Sequence, residues 1–208
     1  GLREFKTVGT GPIRGMFRLK EFVYVASGDS LYKITETTTV LIGVIGGIDS
    51  IVKMNANGTD TNQIIIIADN NGFTTDDTDV LTPITDTDFT NDGGADFSVA
   101  SLNQVFWVNK PNSNAFIGSD AANGQSWDAL RKTSAEQSFD PVVYLARQKS
   151  SLRVMGTRTI EHWQTDINDV NVPIRPILGA TIDRGVGAQR SVAEWQDNIF
   201  WLADDGTV

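Results

Sequence analysis

His162 is the sole histidine of a 208-residue chain that contains no cysteine. It lies in "GTRTIEHW" (156–163), and an imidazole there could serve as a general base or a metal ligand only beside a nucleophile or a second ligand. The chain holds no G-x-S-x-G and no H-E-x-x-H. The absence of cysteine removes thiolate zinc sites, disulfides and a thiol nucleophile. His162 is therefore expected to be a packing residue of a hairpin. Two Asp/Asn stretches could offer oxygen ligands, "NANGTDTN" (55–62) around Asp60 and "TDTDFTND" (85–92) around Asp86. Neither has the spacing or the closing glutamate of a calcium-binding loop, and Asn, Asp and Gly are what tight turns demand. Asp76, Asp77 and Asp79 could pair as acid and base for glycoside cleavage, but they fall in a polar loop with no aromatic sugar platform near in sequence. "GTGPIRG" (9–15) and "GGIDS" (46–50) lack the Lys-Ser/Thr pair and the helix of a phosphate loop. The expectation is no enzyme, no catalytic residue, no cofactor and no metal site, with any calcium binding weak.

The elements that carry these residues are strands. Five apolar runs recur, "EFVYVA", "QIIIIA", "QVFWVN", "SLRVMG" and "NIFWLA", with cores starting at Phe22, Ile64, Val105, Leu152 and Ile199, at intervals of 42, 41, 47 and 47 residues. Each follows another strand-like run ("GMFRLKE", "DSIVKMN", "DFSVASLN", "DPVVYLAR", "RSVAEWQ"), and a turn and further strands follow most of them. Three or four strands every 40–50 residues mark propeller blades. The expectation is an all-β, propeller-like repeat of antiparallel three- to four-stranded sheets, about four blades and the start of a fifth, in units 5–48, 49–95, 96–139, 140–185 and 186–208. The near-continuous apolar second run suits an inner strand covered on both faces. In the pairs Phe106–Trp107 and Phe200–Trp201, alternation sends one ring into each inter-sheet layer. A chain that opens on Gly1 and stops in a strand pattern reads as a piece of a longer one.

Charge narrows the partners. The net charge is −9: residues 1–53 carry seven basic and five acidic side chains, 110–208 carry ten and twelve, and 54–109 hold nine Asp with no Lys, Arg or His. An acidic body without a basic stripe is a poor nucleic-acid surface, so no direct nucleic-acid binding is expected. No apolar run reaches the ~18–20 residues of a membrane helix, and no membrane contact is expected.

The second half carries a resemblance. "SWDALRKTSAEQSFDPVVYLARQKSSLRVMGTRTIEHW" (126–163) and "DRGVGAQRSVAEWQDNIFWLADDG" (183–206), together with the opening "GLREFKTVGTGPIRGMF", resemble the packaged-DNA stabilisation proteins, or tail hubs, of short-tailed phages of the Lederbergvirus type. The resemblance implies a virion structural protein, made in the host cytoplasm, forming a homo-hexameric hub in the phage tail. Such a hub closes the portal channel after packaging and bridges the portal adaptor to the tailspikes and tail needle. A plug with anionic walls retains DNA without binding it. The isolated chain is expected to be monomeric or weakly associated. The rival from the residues alone is a propeller carbohydrate-binding or glycosidase module for host recognition.

Overall fold

The computed structural model describes residues 6–208, so the first five residues of the opening motif, and the start of the unit 5–48, lie outside the described residues. Four antiparallel four-stranded sheets follow one another, each in simple sequential order. The first holds β1 (Ile13–Leu19), β2 (Phe22–Ser27), β3 (Ser30–Ile34) and β4 (Thr39–Val44). The second holds β5 (Lys53–Ala56), β6 (Ile64–Ala68), β7 (Asn71–Thr75) and β8 (Thr82–Pro83). The third holds β9 (Val99–Leu102), β10 (Val105–Asn109), β11 (Ala115–Asp120) and β12 (Asn123–Ser134). The fourth holds β13 (Val142–Gln148), β14 (Ser151–Gly156), β15 (Ile160–Thr165) and β16 (Ile174–Pro176). A two-stranded fifth sheet pairs β17 (Ala193–Trp195) with β18 (Asn198–Phe200).

Tight hairpins fix the register. Asp69–Asn70 and Asn103–Gln104 both take positive φ at two successive residues, the backbone that a two-residue turn needs to match strand twist. All five apolar runs fall in the second strand of a sheet, β2, β6, β10, β14 and β18. Period-two alternation then divides each run between two layers. Ile64 and Ile66 pack toward the first sheet with Tyr24 and Leu31, whereas Ile65 and Ile67 pack toward the third with Phe106 and Val108. Val105 and Trp107 meet Leu145, Leu152 and Val154 of the fourth sheet, and Met155 and Ile160 meet Ile199 and Trp201 at the fifth. A lone sheet would leave one face wet; stacking buries both.

Neighbouring sheets approach through β1, β5, β9 and β13, so these first strands form the edge on which the fan converges. The apolar runs sit one strand farther out, which is why both their faces are covered. Polar bonds register one sheet on the next near this edge. Asn55 Nδ2 donates to the Val99 carbonyl at 3.3 Å, Asn109 Nδ2 to that of Val142 at 2.8 Å, and the Leu145 amide donates to Ser98 Oγ at 2.8 Å. The two ends of the fan differ. Val8 covers Val25 and Ile34 on the outer face of the first sheet. At the other end Trp201 enters the layer against the fourth sheet, but Phe200 does not enter a second layer: with Trp195 it stands on an open face. One short helix, α1 (Thr87–Thr90), interrupts the β pattern in a stretch expected to be only a turn.

Candidate functional site

Asp86 caps α1, accepting from the Asp88 amide at 2.9 Å, and its second oxygen takes the Trp127 amide of β12 at 3.1 Å. Asp88 accepts from the Ala129 amide at 3.0 Å, and Asp92 pairs with Lys132. The Lys132 ammonium holds the Asp92 carboxyl below its ordinary range, first through their hydrogen bond and then through its charge. Asp79 pairs with Lys33 at 2.8 Å, and Asp69 with the buried Arg14 at 3.5 Å. The aspartates of 54–109 thus take cations from outside that stretch, Arg14 and Lys33 of the first sheet and Lys132 of the third. Asp76 closes a local turn through the Thr78 amide and hydroxyl, and Asp77 accepts from Asn62 Nδ2 at 2.7 Å. In 55–62 the side chain of Asn57 accepts from the Thr59 amide and hydroxyl, again as turn chemistry. Among the described residues no three His, Asp or Glu side chains converge as a metal site.

The two Gly-rich stretches meet each other across Arg14. Its guanidinium donates to the carbonyls of Gly28 (2.8 Å), Gly46 (2.6 Å), Gly47 (3.0 Å) and Ser50 (2.7 Å). Those loops offer carbonyl oxygens to a cation instead of amides to a phosphate. Sequence reading gave Arg14 no role, since its partners lie up to 36 residues away.

At the converging edge three sheets meet in one cluster. Lys53 of β5 lies over the rings of Phe97 (4.8 Å) and Tyr144 (5.1 Å), and its ammonium donates to Tyr144 Oη at 3.4 Å. Tyr144 Oη in turn donates to Glu194 of β17 at 3.4 Å. Burial pushes the Lys53 amine down, and burial pushes Glu194 and the Tyr144 phenol up, the last with help from the charge and hydrogen bond of Glu194. No motif announced this cluster, because Lys53, Tyr144 and Glu194 are first-strand residues of three different sheets and Phe97 lies just before β9.

His162 lies opposite Arg153 on the face of the fourth sheet that turns toward β18, on the same side as Ile160 and away from Glu161 and Trp163. Burial, and then the charge of Arg153, lowers its pKa, so the ring is biased to the neutral form. The hairpin pairs in register along β14 and β15 and is scaffold in that sense.

A family model described as "Bacteriophage P22 Gp10, beta-propeller", in the phage stabilisation family, matches residues 1–207. The chain belongs to this family. The family is a phage structural one, of the packaged-DNA stabilisation type. No helix among the described residues is long and apolar enough to cross a membrane. A search of curated sequences found no match. Solved structures similar to this family member include the computationally designed Ika8 protein, with a TM-score of 0.59, 14% identity, and coverage of 93% of this chain and 56% of that one. PorZ, a bacterial surface component of the type-IX secretion system of Porphyromonas gingivalis, gives 0.55 and 11%, covering 96% of this chain and 26% of PorZ. The Cps50 (Swd1) β-propeller domain of Myceliophteria thermophila gives 0.54 and 10%, covering 82% and 59%. The chain spans about half of the designed protein and about a quarter of PorZ. At these identities the likeness concerns the fold, and it is the propeller.

Proposed function

We propose that the protein is a tail-hub component that closes the portal channel after DNA packaging, and that it bridges the portal adaptor to the tailspikes and needle. The observation that carries this reading is the family match over 1–207. Two features of the molecule suit the role. Lys53, Tyr144 and Glu194 of three different sheets are linked at the converging edge, which ties those sheets together. The net charge of −9 repels phosphate, so a genome held behind the hub does not adhere to it on leaving. In this reading units 5–48, 49–95, 96–139, 140–185 and 186–208 are successive blades, and six copies form the ring. The chain contributes surface and rigidity and performs no turnover. The test uses DNA-filled heads that carry portal and adaptor but lack this protein. Adding it should convert the packaged genome from nuclease-sensitive to nuclease-resistant, with the protein co-sedimenting with the heads. Heads that stay leaky while the protein remains in the supernatant would refute the proposal.

A further inference from the structure

Between the fourth and fifth sheets lies a half-open cavity of about 310 Å³. Met155, Ile160 and Ile199 form its apolar wall. Its polar lining consists of Arg153, His162, Trp201 and Gln148. Two buried atoms of this lining, His162 Nε2 and Trp201 Nε1, have no hydrogen-bond partner. Thr75 Oγ1 and Trp107 Nε1 are unpartnered in the same way in the core, so the two nitrogens alone do not mark a ligand. Arg153 is the third group. Its guanidinium binds only the neutral Oε1 of Gln148, with Nε at 2.8 Å and Nη2 also in contact, and among the described residues no carboxylate pairs with it. Gln148 is held in turn through its Nε2 by the Asp197 carbonyl at 2.8 Å. Glu194, the acidic residue of β17, is engaged with Tyr144.

We infer that this cavity is a binding site for a carboxylate carried on a small apolar body. Arg153 can only donate, so its guanidinium matches an acceptor-only group, and His162 and Trp201 stand beside it in the lining as reporters of anything that enters. A carboxylate would supply the missing counter-charge to a half-buried guanidinium, and a hydrocarbon or aromatic stem would fill the wall of Met155, Ile160 and Ile199. The volume is at the small end of ligand pockets, about 300–1,000 Å³, which suits a ring or short chain and not an oligosaccharide. The same chemistry could come from a free small acid or from the terminal carboxylate of a polypeptide ending in an apolar residue.

The test is a titration of the 208-residue chain, labelled with ¹⁵N at tryptophan and histidine, followed by NMR. The probes are 3-phenylpropionate and its amide, and a short peptide ending in phenylalanine with a free or an amidated terminus. The Trp201 indole and His162 ring signals should shift saturably with an acid form, which should bind at least about tenfold more tightly than the matching amide. Arg153→Met should abolish that preference and Arg153→Lys should keep part of it. Response to the free-terminus peptide assigns the source to a polypeptide, and response to the small acid alone assigns it to a free acid. Equal binding of acid and amide, or no shift at Trp201 and His162 of the folded chain at about 10 mM probe, would overturn the inference. Should Arg153→Met fail to fold, the acid–amide comparison on the unaltered chain and on Arg153→Lys decides.

Discussion

Trp107 shows how much a single side chain contributes here. It is fully buried, packs edge-on against Phe116 at 5.8 Å, and faces Gly118 across the β10–β11 pair. A Cβ at Gly118 would come within 2.9 Å of the Trp107 ring, so the glycine exists to admit the indole. Truncating Trp107 to Ala should cost about 3–5 kcal/mol through the cavity left behind. Phe200, 49% exposed, should cost less than about 1 kcal/mol when truncated alike. Urea unfolding of both variants checks the contrast, and comparable losses would mean that the fifth sheet packs differently. Lys110 provides a pH test. It is buried and donates to the carbonyls of Phe89 (2.6 Å) in α1 and Asn91 (2.9 Å) just after it. Burial lowers its pKa from 10.5 to about 8. Between those values the unfolded chain binds the proton and the folded chain has released it, so this group's contribution to stability rises with pH across that window. Relative to Lys110→Met, the urea midpoint of the unaltered protein should climb from pH 8 to 10.5; a flat or falling difference would reverse the assignment.

Among the elements, strands were legible because their signal is local. Alternation over five or six residues and a recurrence near 40–50 residues place β2, β6, β10, β14 and β18 without any long-range knowledge. Helix α1 was not legible, since four residues are too few to show a helical period. The work of the aspartates was hidden for a different reason. Asp86 and Asp88 look like turn or calcium residues, yet their second partners are backbone amides of β12, 41 residues on. The lack of any Lys, Arg or His in 54–109, beside flanks that carry seven and ten basic residues, was the available clue that this stretch draws on its neighbours. Asp86→Ala removes the helix cap and leaves the Trp127 amide unpaired, which should lower stability by about 1–3 kcal/mol. Calcium should leave the melting temperature of the unaltered protein within a degree or so, because Asp86, Asp88 and Asp92 already have partners. A calcium-dependent rise of several degrees, lost in Asp86→Asn, would restore the ligand reading. The cluster of Lys53, Phe97, Tyr144 and Glu194 was likewise beyond sequence reasoning, being assembled only when three first strands converge.

For the whole molecule, the fan is held by layers between sheets and leaves one face open. On that face Trp195 is 65% exposed. The acidic second unit is partly compensated by Arg14, Lys33 and Lys132, and the net charge stays at −9. Like copies should therefore repel at low salt and associate weakly through the open face as screening shortens to a Debye length of ~10 Å. Sedimentation velocity should show association that increases with ionic strength and drops on Trp195→Ser with Phe200→Ser; a tight, salt-independent oligomer would contradict this. The central claim is that the stacked sheets form the plug of a phage tail. A cryo-electron microscopic reconstruction of the intact tail tests it most directly. Six copies of the fan, four sheets of four strands each and a fifth, should occupy a ring immediately below the portal adaptor, in contact with spikes and needle. A tail in which that ring is built from another chain, with this one on the outer surface or absent, would contradict it.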